Sequence, residues 1–98
     1  MPAYVIAHVD VTDPQAYEGY RSQVMATVTA HGGKFLVRGG TVERVEGNMD
    51  WKRIVVLEFA DKAAAWRWYN SPEYQRILKI RQSASRGDVI LVDGAPPA

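Results

Sequence analysis

Arg53-Ile54-Val55-Val56-Leu57-Glu58-Phe59 is the stretch on which the reading of this chain turns. Its β-branched and aromatic residues favour extended backbone, and Asp61 two residues on is a helix N-cap, so a strand runs directly into a helix. Ile54 and Val56 lie on one parity and Val55, Leu57 and Phe59 on the other, so both faces of this strand are apolar apart from Glu58. A strand of that kind belongs in the middle of a sheet that is covered on both sides.

Downstream, Ala63, Ala64, Ala65, Trp66 and Tyr69 continue the helix until Ser71-Pro72-Glu73 breaks and restarts it, because proline lacks the backbone donor and clashes with the preceding turn. Tyr74, Ile77, Leu78 and Arg81 mark the inner stripe of the second piece, Gly87 ends it, and Val89 to Val92 reads as the last strand. Upstream, Thr41 to Glu46 reads as extended chain before a turn at Gly47-Asn48. Lys34 to Arg38 is a short strand, and Gly39-Gly40 after it suggests a bulge or bend. Residues 4 to 11 form another strand, and Thr12-Asp13-Pro14 opens a helix by either a capping box or an Asp cap with proline in the first turn. Tyr17, Tyr20, Val24 and Val28 repeat at helical spacing until Gly32-Gly33 supplies a left-handed stop.

The order is β-α-β-β-α-β. It predicts an α+β, ferredoxin-like domain over residues 1–94, a four-stranded antiparallel sheet with two helices on one face, and a loose C-terminal tail over 95–98. Two helices cannot cover both faces of a sheet whose parities are both apolar: Val5, Ala7, Val9 on one side, Tyr4, Ile6, His8 on the other, with Val89 and Leu91 opposed to Ile90 and Val92. The expected partner is a second copy packed face to face, a homodimer.

Ninety-eight residues, 47% of them apolar, suffice for one packed core. A net charge of +1 with no block of like charge leaves no footprint for nucleic acid or an anionic membrane. RNA-recognition domains share this element order, but Ile54 and Val56 stand where their stacking rings belong. Without cysteine there is no disulfide, thiolate nucleophile or Cys-ligated metal. Only His8 and His31 supply imidazole, no phosphate-binding loop follows either glycine pair, and no serine sits in a nucleophile elbow. The expectation is therefore no metal and no cofactor. The N-terminal residues lack the pattern of a signal peptide, which makes the cytoplasm the default location.

Several stretches together resemble a known family: Gly32-Gly33-Lys34-Phe35-Leu36-Val37-Arg38-Gly39-Gly40, then Val45-Glu46-Gly47, Val56 to Phe59, and Trp66 through Ser71-Pro72-Glu73-Tyr74-Gln75. This combination, spread over nearly the whole chain, is similar to the bacterial family called domain of unknown function 1330. The resemblance implies a dimeric α+β barrel. Other branches of that superfamily include cofactor-independent monooxygenases, muconolactone isomerase, EthD-like proteins and haem-binding chlorite dismutases, and ligands there often lie between a protomer's sheet and its helices. The family itself supplies no activity to carry over.

Two constellations carry candidate chemistry. With the first and third strands taken as adjacent and parallel, His8 and Glu58 fall at the same end of one face, and Arg38 approaches them. A histidine, a carboxylate and a guanidinium suit proton transfer beside a stabilised anion, as in a cofactor-independent isomerase or monooxygenase. The alternative is a structural Glu58–Arg38 ion pair with His8 at the interface. Tyr17, Tyr20, Trp66, Tyr69, Tyr74 and Arg81 would bind a flat or anionic small molecule, or else are core aromatics at helical spacing. A non-catalytic small-molecule-binding or stress-related accessory domain is the alternative function.

Overall fold

The computed structural model describes residues 1–96, so Pro97 and Ala98, half of the expected tail, lie outside the described residues; Ala95 and Pro96 carry no regular structure. The elements are β1 (Ala3–Val11), α1 (Pro14–Ala30), β2 (Lys34–Arg38), β3 (Arg53–Phe59), α2 (Lys62–Tyr69), α3 (Pro72–Ala84) and β4 (Ser85–Asp93). They form one sheet in the order β2-β3-β1-β4, with every neighbouring pair antiparallel.

Local chemistry sets the helix ends. Asp13 caps α1, its Oδ1 accepting from the Ala16 N–H at 3.1 Å, with Pro14 in the first turn; Asp61 caps α2 by accepting from Ala64 at 2.8 Å. At the break between α2 and α3, the Ser71 hydroxyl donates to the Trp68 carbonyl at 2.7 Å and accepts from the Tyr74 N–H at 3.3 Å. The Gln75 side chain reaches back to the Tyr69 carbonyl at 2.7 Å. The groups freed by Pro72 are thus satisfied within the chain, and no ligand is needed there.

Val5, Ala7, Val9, Leu57 and Phe59 on the inner face pack against Tyr17, Tyr20, Val24 and Val28 of α1, Ala64, Ala65 and Trp68 of α2, and Tyr74, Ile77 and Leu78 of α3. All helices lie on this side, which gives extents of 39 × 38 × 16 Å, a slab one sheet and one helix layer thick. The outer face carries Tyr4, Ile6, Ile54, Val56, Val37, Ile90 and Val92, and no element among the described residues covers it: Ile90 remains 56% exposed and Val92 41%.

Three expectations need correction. Thr41 to Glu46 forms no strand, and β2 ends at Arg38. Gly87 does not end the second helix but lies inside β4, opposite Val9, at φ +155°; a side chain there would run into the His8 carbonyl oxygen, so glycine is required by close backbone approach. The irregularity expected at Gly39-Gly40 falls earlier, between Phe35 and Val37, where Leu36 is an extra residue opposite β3.

Candidate functional site

β1 and β3 are adjacent but antiparallel, since the split arrangement inserts β3 between the parallel strands β1 and β2. Tyr4 pairs with Glu58 and His8 with Ile54, so His8 and Glu58 share the outer face but stand four residues apart along the ladder, about 13 Å. The Leu36 bulge shifts Arg38 to pair with Val55, which turns its side chain to the helix side. The structure therefore does not bring His8, Arg38 and Glu58 together.

Each of the three has other company. Glu58 lies 3.3 Å from Lys34 Nζ and stands opposite Tyr4, and its carboxylate raises the pKa of the Tyr4 phenol. The Glu58–Arg38 ion pair is absent. His8 Nε2 accepts from the Lys52 N–H at 3.0 Å, and its ring meets Trp51 edge-on at 5.2 Å between centroids.

What assembles instead is on the helix side. Tyr17, Tyr20 and Val24 of α1, Tyr74 and Arg81 of α3, Trp68 of α2, Phe35 and Arg38 of β2, and Arg53 of β3 line one cavity between sheet and helices, closed to about 40 Å³. That volume holds a water or two. Arg21 stands at its rim and is occupied by Glu18 at 3.2 Å. Among the described residues, Arg38, Arg53 and Arg81 have no carboxylate partner, and the lining contains neither acid nor histidine.

Three guanidiniums facing one cavity without a counter-charge make a strongly anion-seeking site. Arg53 comes from the inner parity of β3, opposite Val9, and its Nε is buried without a hydrogen-bond partner. Its guanidinium lies against Gly39, where φ is +72° and any side chain would displace it. The glycine pair thus seats an arginine. Arg38 is exposed and loosely held, with 3.4 Å to the Arg21 carbonyl, 3.8 Å to Met25 Sδ and 4.8 Å to the centroid of the Phe35 ring. It lies across the cavity mouth between β2 and α1.

Deeper in, the Tyr20 and Tyr74 hydroxyls are hydrogen-bonded at 2.9 Å, and Arg81 sits 6.0 Å from the Tyr20 ring centroid. Burial pushes the pKa of both phenols up, so they remain neutral donors through the physiological range. Burial alone would lower the Arg81 pKa, but the two phenol oxygens beside it outweigh that and its net shift is upward.

The predicted binding residues divide. Tyr17, Tyr20, Tyr74 and Arg81 line the cavity, whereas Trp66 and Tyr69 wall a separate groove of about 460 Å³ under the β4 edge, with Ile90 and Leu91. The two spaces share Val5, Trp68 and Val89 in their walls. Arg53, Phe35 and Trp68 were not anticipated. A signal for Arg53 was present: it shares the parity of Val55, Leu57 and Phe59, and a charge on the buried parity of a central strand needs a reason.

An antiparallel β-α-β-β-α-β sheet with its helices on one side and an apolar face uncovered defines an α+β protein of the ferredoxin-like class. Among proteins of that class, this chain belongs to the family described as domain of unknown function (DUF1330), whose model matches residues 2–95. No curated protein matches it. A protein of unknown function from Rhodopseudomonas palustris superposes with a TM-score of 0.80 at 21% identity, covering 98% of this chain and 84% of that one. A dimeric ferredoxin-like protein of unknown function from Jannaschia sp. CCS1 gives 0.67 at 16% identity, covering 96% and 100%. SnoaB, a cofactor-independent oxygenase from Streptomyces nogalater, gives 0.62 at 14% identity, covering 98% and 95%. These likenesses establish the fold. No helix among the described residues is long and apolar enough to cross a membrane.

Proposed function

We propose that this protein is a homodimer that binds a small organic anion between its sheet and its helices, and that any chemistry it performs acts on that anion without a cofactor. The observation that carries the reading is the set of three guanidiniums, Arg38, Arg53 and Arg81, turned to one phenol-lined cavity with no acid to neutralise them. An acidic group enters among the arginines when Arg38 swings from the mouth, and the apolar part of the molecule extends past Val5 and Trp68 toward the groove walled by Trp66 and Tyr69. Dimerisation is supported by the uncovered outer face and by the dimeric relative from Jannaschia.

The inventory of the lining discriminates among reactions. Moving a proton between two carbons needs a base near neutral pH, and no imidazole or carboxylate lines the cavity. Cationic and phenolic donors do suit a substrate that ionises by itself, whose oxygen anion they hold, and SnoaB is a cofactor-independent oxygenase of the same fold. The reading therefore favours binding, or oxygenase-type conversion, of a carboxylate or enolate over isomerisation by proton shuttle.

Titration calorimetry with 3-phenylpropanoate and its neutral amide tests it. The acid binds and the amide does not, and Arg53→Gln weakens the acid by roughly tenfold or more, the effect of one charge-assisted hydrogen bond. Equal binding of acid and amide, or an unaffected Arg53→Gln variant, would refute the anion site.

A further inference from the structure

We infer that Val89 is a specificity-determining residue between the arginine cavity and the groove under β4, and that the ligand is a carboxylate whose head lies among the guanidiniums while its apolar body lies in that groove. This rests on the anion-site reading above and specifies the ligand class and a residue that selects it.

The two spaces differ in what they can hold. About 40 Å³ beside Arg53 and Arg81 is room for one or two waters, hence for a carboxylate and little else. The groove, at about 460 Å³, is of the size that encloses whole small molecules, about 300–1,000 Å³. Trp66, Tyr69, Ile90 and Leu91 wall it, and no charged side chain does. Unpaired cations without room for a body lie next to an apolar trough without an anchor for a head. An amphiphilic carboxylate satisfies both.

Val5, Trp68 and Val89 belong to both walls. Two of them are fixed. Val5 is 6% exposed on β1, a strand hydrogen-bonded on both sides. Trp68 is 2% exposed, its indole N–H donates to Thr27 Oγ1 at 3.0 Å, and its ring centroid lies 4.1 Å from that of Tyr74. Moving either would disturb the packed core.

Val89 stands differently. It lies on the edge strand β4 and is 38% exposed. It faces Ala7 across the ladder, and the next inward position of β4 is Gly87, so the positions around it carry a methyl group or nothing. It also walls a third, open space of about 540 Å³ together with Arg81 and Arg86. The isopropyl group of Val89 therefore separates cavity, groove and solvent, and it has room to turn. The size of the side chain at this position sets whether a body joined to a bound carboxylate reaches the groove, while the arginines are left as they are.

The test uses propanoate and 3-phenylpropanoate, which share the carboxylate and the three-carbon chain and differ in the ring. In NMR titrations of the wild-type protein the ring should give 3-phenylpropanoate an advantage of roughly 10- to 100-fold, the worth of burying one phenyl group. Val89→Phe, which fills the passage, should cut that advantage to within about threefold and change propanoate by less than about twofold. Val89→Ala, which widens the passage and spares the core, should raise the affinity of the 2-naphthyl analogue relative to 3-phenylpropanoate by about threefold or more. Intermolecular NOEs from the Val89 methyl groups to the ring of bound 3-phenylpropanoate are expected in the wild type, a readout that needs no variant. Equal affinities of the two acids in the wild type, a ring advantage that survives Val89→Phe, a naphthyl preference unmoved by Val89→Ala, or absence of those NOEs would overturn the role of Val89 and leave the anion site standing. Binding of neither acid would overturn the anion site and this inference together.

Discussion

Raising the pH past 10 probes the buried phenol pair directly. Unfolded tyrosine titrates near 10, and burial holds the pKa of Tyr20 and Tyr74 above that value in the folded chain. Below about pH 10 both states keep their protons and these groups add no pH dependence. Above it the unfolded chain releases protons that the native chain retains, so stability falls as pH rises until the native phenols themselves titrate. For a phenol shifted as far as Tyr20, the slope approaches about 1.4 kcal/mol per pH unit and integrates to about 2 kcal/mol by pH 11.5. Tyr74 acts with the same sign. A domain of this size has on the order of 5–15 kcal/mol in total, so the loss is readily measured.

The comparison with Tyr20→Phe isolates the effect, because lysines and exposed tyrosines titrate alike in both proteins. The variant loses one buried hydrogen bond, about 1 kcal/mol, at every pH, but escapes the alkaline destabilisation of Tyr20. Urea denaturation at half-unit steps from pH 8 to 11.5 should therefore give stability curves that cross: wild type higher at pH 8 and variant higher at pH 11.5. Parallel curves would show that Tyr20 is not held neutral by its surroundings.

Val56→Asp places a charge at the centre of the outer face, opposite Ile6 and Val37. If that face is a dimer interface, burying an unpaired carboxylate there costs about 4 kcal/mol, a thousandfold in association, and light scattering should fall from twice the chain mass of 10.9 kDa to the single mass; a wild-type monomer at micromolar concentration would refute the dimer. Gly87→Ala should lower stability by roughly 2 kcal/mol or more, seen as a melting temperature lower by on the order of 10 °C, because the new methyl group meets the His8 carbonyl; an unchanged midpoint would contradict the strand register. Glu58→Gln, which loosens a half-exposed pair with Lys34, should change stability by less than about 1 kcal/mol and leave carboxylate binding intact, since Glu58 is on the opposite face from the cavity. A large loss of binding in that variant would return Glu58 to the site.

The architecture was legible because it is written in local and periodic signals. The Asp13 and Asp61 caps, the Ser71-Pro72 break and the two apolar parities of β3 each act within a few residues, and the split β-α-β-β-α-β order follows from their sequence. The family resemblance rests on the same stretches, and the family match confirms it. The tyrosines of the cavity were legible for the same reason: Tyr17, Tyr20 and Tyr74 lie on the inner stripes of their helices, and helical spacing alone puts them against the sheet.

The chemistry of the site was decided elsewhere. Strand direction separates His8 from Glu58 by the length of the ladder: in the split order β3 runs against β1, so two residues late in their own strands lie toward opposite ends of the pair. The facing of Arg38 hangs on one unpaired residue, Leu36, since a period of two turns any single insertion into a change of side. Gly39 looks like a bend in the sequence, yet in the folded chain it is the seat of the Arg53 guanidinium. Which charges have no partner is likewise a question of distance: the sequence lists twelve Lys and Arg against eleven Asp and Glu, nearly balanced, and only the tertiary structure turns three of those arginines toward a cavity from which every acid is absent.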